Sequence, residues 1–296
     1  MTTPFVIGYS SLIRHSPFVI RHSPNPPSPR PPRPLSCPHP MPHSSFNLLR
    51  LRANLKPFRL YWFPRLRSTN DHAAFLRKSG LLFAPAIVLT AHQTAGRGRG
   101  ANAWWSAAGC LTVTFAFPIE EQLRPHQVPL VAGLAVRDAA AQLTGDHDVG
   151  LKWPNDIVHH GRKLAGLLCE RIHRLDLIGL GINVNLDERH APPPLRNRIT
   201  SLSSIAAHNF DISDTLITIA AYLRRTLSRQ LQQTFPALLQ EYDRHHVLVG
   251  RQVRAQTGEH KPPIIGRCTG LDHLGRLVLQ AHGHTHRIAA AHIELV

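Results

Sequence analysis

The chain has 296 residues, 43% of them hydrophobic, which is enough for one sizeable core and a small second domain. No stretch reaches the ~20 consecutive apolar residues of a membrane span, and Cys37, Cys110, Cys169 and Cys268 lack the spacing of a zinc knuckle or a disulfide framework, so reduced thiols in a cytoplasmic protein are expected. The formal charge of +16 would suit a nucleic-acid partner, but residues 1–57 hold seven Arg or Lys and no acid, leaving 27 basic against 18 acidic residues in the rest of the chain, a much milder excess.

Residues 1–57 also carry 13 of the 25 prolines, in runs such as Pro29-Arg30-Pro31-Pro32-Arg33-Pro34 that propagate neither helix nor paired strand. A disordered extension is expected there. Ser11 to Pro17 is echoed by Phe18 to Pro24, which suggests translated upstream repeat DNA with Met41 as the true start. Folded texture is expected from Phe58, in a strand over 58–63. Ser68-Thr69-Asn70-Asp71 supplies caps for a helix over 73–78 that ends at Ser79-Gly80. A buried strand over 86–90, a Gly-rich loop over 93–100 and a strand over 111–117 follow. A long amphipathic helix is expected over 130–143, then strands over 149–153, 164–171 and 175–182. A second long helix spans 216–233, with apolar positions at Leu216, Ile219, Leu223, Leu227 and Leu231. Beyond Tyr242, short strands and turns such as Asp272-His273-Leu274-Gly275 predict a small all-β domain over 247–296.

Three clusters carry chemistry. In Gly96-Arg97-Gly98-Arg99-Gly100, glycines allow close backbone approach and two guanidinium groups can pair with phosphate or carboxylate oxygens; Trp104-Trp105 then offers flat stacking surfaces. Lys152-Trp153-Pro154-Asn155-Asp156 places a cation, an indole, an amide and a carboxylate at a strand end, the usual position of ligand groups in an α/β sheet. Asp156 is suited to hold magnesium while substrate phosphates complete the octahedron. Lys163 in Gly161-Arg162-Lys163-Leu164-Ala165-Gly166 can neutralise charge on a reacting carboxylate and phosphate, and Gly166 leaves room for a ligand.

These blocks, in this order, resemble the biotin protein ligase family. The match consists of Ser68-Thr69-Asn70, Gln93 to Arg99, Trp104, Lys152 to Asp156, Lys163 to Gly166 and Gly179-Leu180-Gly181-Ile182-Asn183-Val184-Asn185. The resemblance implies an α+β fold: a mixed β-sheet flanked by helices as the catalytic domain over 58–246, then an SH3-like β-barrel over 247–296. It implies that biotin and MgATP give biotinyl-5′-AMP, and that the acyl group passes to a lysine of the biotin carboxyl carrier protein of acetyl-CoA carboxylase. Ser68, Thr69, Asn70 and Gln93 would surround biotin, with Gly166 beside it, and Gly96, Arg97, Gly98 and Arg99 would close over the adenylate. Arg97 and Lys163 would be catalytic, meeting the biotin carboxylate and the α-phosphate. Trp104 would stack on adenine, and Lys152, Asn155, Asp156 and Asn183 would join Arg99 and Lys163 in holding ATP and magnesium.

The chain departs from the family's pattern in places. Gly100-Ala101-Asn102-Ala103 stands where many relatives carry further basic residues, so charge for the triphosphate must come from elsewhere. Ala290-Ala291-His292-Ile293-Glu294 replaces an expected Gly-containing turn. Nothing before Phe58 shows helical periodicity or helix-turn-helix spacing, so no N-terminal DNA-binding domain and no sequence-specific repression are expected. The alternatives are a lipoate or octanoate protein ligase, whose paired-arginine and triple-glycine signature is missing here, and a basic nucleic-acid-binding protein. A metal site on His282, His284 and His286 is a further alternative, with a solvated strand face as the plainer explanation. No feature decides the oligomeric state.

Overall fold

The computed structural model describes residues 46–258 and 260–296. Its first element is α1 (Leu48–Asn54), where the Asn47 side chain accepts from the Arg50 N–H and Leu51 and Leu55 are buried. Folded structure therefore begins ahead of the Phe58 boundary, because Leu51 and Leu55 supply a short apolar face that the surrounding basic and proline-rich text conceals. The remaining expectations for the extension, including its repeat, lie outside the described residues.

The catalytic-type sheet is then built from β1 (Arg59–Leu66), β2 (Ala86–Gln93), β5 (Cys110–Pro118), β6 (Val149–Lys152), β7 (Asp156–His159), β8 (Arg162–Ile172) and β9 (Leu175–Asn183), with α2 (Thr69–Lys78) after β1 and α3 (Val128–Thr144) after β5. A two-stranded ribbon, β3 (Gly96–Arg97) with β4 (Ala103–Trp104), stands over it. The strand order is β1-β2-β5-β9-β8-β7-β6, with β1 and β2 parallel and every other pair antiparallel, which is the mixed sheet expected. Alternation along the strands divides the core between two faces. On one, Val88, Ala116 and Leu177 meet Ala73 and Leu76 of α2; on the other, Ile87, Leu89, Val113, Phe115, Ile178 and Leu180 meet α3. Because α3 is apolar nearly all round, it needs cover on its outer side, and α4 (Leu202–Ala206), α5 (Ile212–Gln232) and α6 (Phe235–Arg244) complete that layer.

The last strands, β10 (Gln252–Gln256), β11 (Ile264–Leu271), β12 (Leu277–Ala281), β13 (His284–Ile288) and β14 (His292–Leu295), form one antiparallel sheet in the order β13-β12-β11-β10-β14. The antiparallel sheet is the all-β element expected there, and its two outer strands do not pair with each other among the described residues. Its β11–β12 turn docks on the larger sheet: Gly275 O accepts the indole N–H of Trp153 at 3.1 Å, and Leu274 O accepts from the Gln127 amide at the start of α3. Val253, Cys268, Leu277, Leu279 and Ile293 belong to the same apolar core as α3, which runs without a break across residue 247. No helix among the described residues is long and apolar enough to cross a membrane.

Candidate active site

Ladder register sets out the site. Lys152 pairs with Asp156, Asp156 with Gly166, Gly166 with Gly181, and Gly181 with Thr112, so these residues form one rank across five strands. Two positions along β9, Gly179 stands between Leu168 and Thr114 in a second rank on the same face. Each β9 glycine is a seat. A Cβ on Gly181 would lie 2.3 Å from Cε2 of Trp104, and one on Gly179 would lie 2.3 Å from Oδ1 of Asn70, so both side chains rest directly on the sheet backbone.

Around Asn70 the groups are buried, uncharged and held. Ser68 caps α2 by accepting from the Asp71 N–H. The N–H and hydroxyl of Thr69 both donate to Gln93 Oε1, at 2.9 and 3.3 Å. Asn70 donates through Nδ2 to Leu168 O and to Glu170 Oε2, and its Oδ1 accepts from the Thr114 hydroxyl at 2.6 Å. Gly96 approaches so closely that a Cβ there would lie 2.6 Å from Gln93 Nε2. Such a fixed set of donors and acceptors suits a neutral polar ring.

Around Trp104 the groups are cationic. Lys163 Nζ lies 2.8 Å from Asp156 Oδ1 and 5.8 Å from the centre of the Trp104 ring. Its backbone is fixed by Lys163 N–H to Arg198 O and Thr200 N–H to Lys163 O. Asn155 donates to Leu167 O at 2.7 Å, and its Oδ1 faces Arg99 Nη1 at 3.4 Å. Burial lowers the pKa of both Lys152 and Arg99, and in each case Asp156 offsets part of that shift; Lys163 and Arg198 push Lys152 further down. Concentrated positive charge on a partly desolvated wall is an anion site.

Both ends open into one cleft of ≈ 1010 Å³. That is at the upper end of the ~300–1,000 Å³ usual for small-molecule sites, room for two substrates side by side. Ser68, Thr69, Asn70, Gln93, Arg97, Gly98, Arg99, Trp104, Lys152, Asn155, Asp156, Lys163 and Gly166 all line it. Two expected residues do not. Gly96 lies behind Gln93, and Asn183 is buried, with its amide donating to Thr200 O at 2.8 Å and Lys163 O at 3.4 Å. Trp153 does line the cleft, while its indole N–H donates to Gly275 O.

The cleft also contains residues that sequence reasoning missed. Arg198 lines it, and is the extra cation that the Gly100 to Ala103 segment lacks. The run Ala290 to Glu294, noted only as irregular, forms part of its rim together with Gln256 and Thr257. No local signal marks Arg198, which reaches Lys163 only through the parallel bridge between Lys163 and Ile199. Arg97 is engaged at Nη2 by Asp71 (2.6 Å) and by both oxygens of Glu170 (3.0 and 3.1 Å). The carboxylates lining the cleft are Asp156 and Glu294. His282, His284 and His286 do not come together; among the described residues the one His/Cys/Asp/Glu group close enough to share an ion is Asp146, His159 and His160, at the far end of β7.

Residues 62–187 match the family model described as the biotin/lipoate A/B protein ligase family. The chain is 30% identical over 239 residues to the biotin–[acetyl-CoA-carboxylase] ligase of Mycobacterium tuberculosis, covering 76% of this chain and 85% of that one. It is also 30% identical to the bifunctional ligase/repressor of Bacillus subtilis, over 71% of this chain and 66% of that longer protein. Among solved structures, the biotin protein ligase of Aquifex aeolicus in complex with biotin and ATP superposes with a TM-score of 0.71 at 26% identity, over 80% of this chain and 98% of that one.

Proposed function

The chain belongs to the biotin protein ligase family, and from that premise we propose how its cleft activates biotin with ATP as biotinyl-5′-AMP and transfers it to a protein lysine. The observation that carries the proposal is the adjacency of two unlike compartments: a buried one of uncharged polar side chains around Asn70 and Gln93, and a cationic one around Lys163 and Trp104, joined along β9. The first suits the ureido ring and tail of biotin, the second a nucleotide.

The biotin carboxylate would lie where the two ranks meet and attack the α-phosphorus, expelling pyrophosphate. Lys163 and Arg97 stabilise the charge that builds on the reacting oxygens, and the cleft contributes by positioning rather than by covalent catalysis. Trp104 stacks on adenine, while Arg99, Lys152, Asn155 and Arg198 face the phosphates. Asn183 acts indirectly, by tying the Lys163 and Thr200 carbonyls together. Asp156, the lining carboxylate beside Lys163, would offer one oxygen ligand to a magnesium ion bound with ATP, whose contribution would be to neutralise phosphate charge. In the second half-reaction the ε-amine of the acceptor attacks the acyl carbon of the mixed anhydride and AMP leaves. The acceptor is read as the biotin carboxyl carrier protein of acetyl-CoA carboxylase, met in the cytoplasm, with the C-terminal sheet, an SH3-like element, forming the rim it approaches.

The test is incubation with magnesium, α-labelled ATP and either biotin or octanoate, followed by a carrier domain. Biotin-dependent adenylate and a labelled carrier are expected. Adenylate with octanoate alone would move the chain to the lipoate side of the family, and activity with neither would overturn the proposal. Arg99→Gly should release the adenylate and label bystander proteins.

A further inference from the structure

Arg97 stands between two carboxylates. Glu170, on β8, is anchored: besides Arg97 it accepts from Asn70 Nδ2 at 2.7 Å, and Asn70 is itself fixed by Leu168 O, Thr114 and its seat on Gly179. Asp71, in the first turn of α2, is more exposed, 53% against 28% for Glu170, and makes a single close contact to Arg97, 2.6 Å from Nη2. One guanidinium flanked by two carboxylates leaves a net negative charge at the place where, on the reading above, an anionic substrate must be met. An incoming carboxylate is repelled until one of the two resident ones lets go. The anchored partner stays and the exposed one moves.

Resting on that reading, the geometry points to a division of labour for these two acids. Glu170 is a positioning residue that holds Arg97 to the biotin compartment, and Asp71 is an internal competitor that occupies Arg97 until the carboxylate of the acyl substrate displaces it. Asp71 thereby sets the affinity for acids in particular. A ligand with the same ring and tail but no negative charge gains nothing from displacing it.

The full chain is titrated calorimetrically with biotin and with its alcohol analogue, in which the carboxylate is replaced by CH₂OH. Asp71→Asn should tighten biotin about two- to fivefold, the scale of one part-exposed ion pair, and leave the alcohol unchanged. Glu170→Gln should weaken biotin more than the alcohol, and Glu170→Asp should restore part of the loss. Equal shifts for both ligands in Asp71→Asn, or weaker biotin binding, would overturn the competitor role. Failure of the wild-type chain to bind biotin at all would instead strike the reading beneath it, and the competitor role with it. A melting curve of each variant separates either effect from damage to the start of α2.

Discussion

Giving Gly181 a methyl group should selectively damage nucleotide binding. The added Cβ would fall 2.3, 2.5 and 2.7 Å from three atoms of the Trp104 indole, whereas carbon atoms rest at ~3.5 Å or more. The ring must therefore retreat by about 1 Å, because the sheet backbone beneath it cannot, and its alignment with Lys163 goes with it. A lost aromatic stack is worth ~0.5–1.5 kcal/mol, so Gly181→Ala should raise KM for ATP by about two- to tenfold and leave KM for biotin alone. Gly179→Ala supplies the opposite case. There the Cβ would fall 2.3 Å from Asn70 Oδ1, and Asn70 cannot step aside without breaking its bonds to Leu168, Glu170 and Thr114. That variant should raise KM for biotin and lower stability by ~1–3 kcal/mol. Biotin-dependent pyrophosphate release, measured across both substrates, together with thermal melts, gives the comparison. If Gly181→Ala left KM for ATP unchanged, or if both variants moved both constants alike, the two-seat account of β9 would be refuted.

Other outcomes follow from the same geometry. Lys163→Gln should lower kcat for adenylate formation by about 10²–10³-fold while the melting temperature barely moves, because its pair with Asp156 is part-exposed; a large loss of stability without a rate effect would contradict the assignment. Arg198→Ala should raise KM for ATP by about two- to fivefold at low salt, with the difference shrinking as ionic strength rises. Asp272 gives a pH dependence. Burial pushes its carboxyl pKa up, but hydrogen bonds from the Arg276 side chain and from the N–H groups of Arg276 and Leu274 outweigh it, and the net shift is downward. Since the folded value lies below the unfolded ~3.9, its stabilisation is complete above that pH and is lost as the pH falls through the folded value. Melting temperatures between pH 6 and pH 3 should fall less steeply for Asp272→Asn than for the parent; parallel curves would remove Asp272 from the account.

Much of this was legible in the sequence. Ser68 announced the α2 cap, and the apolar runs gave β2, β5, β8 and β9; that Gly179 and Gly181 seat Asn70 and Trp104 emerged only from the structure. Short elements escaped. α1 offers one turn and a half inside proline-rich text, β7 has four residues, and Pro236 in the first turn of α6 reads as a breaker although that position tolerates it. Amides and indoles serve both ligands and cores, so the sequence could not show that the Asn183 amide meets Thr200 O or that the Trp153 indole meets Gly275 O. Arg198 and Glu170 could not have been found from local pattern. Their roles come from register and from chain crossings, at the Lys163–Ile199 bridge for the one and at the contact with Asn70 for the other, and neither leaves a trace in spacing.

The docking of the Asp272 to Gly275 turn bears on how the molecule comes apart. Gly275 has φ +82°, and a Cβ there would lie 2.6 Å from Leu130 Cδ1, so the turn is fitted to the surface of α3 as well as to Trp153. A chain ending at His246 would strip cover from α3 and leave the Trp153 indole without its acceptor, loosening the loop that carries Asn155 and Asp156. Calorimetry of the intact protein should accordingly record both sheets melting in a single endotherm, with the slowest amides of β9 and β12 exchanging at a common rate set by global opening.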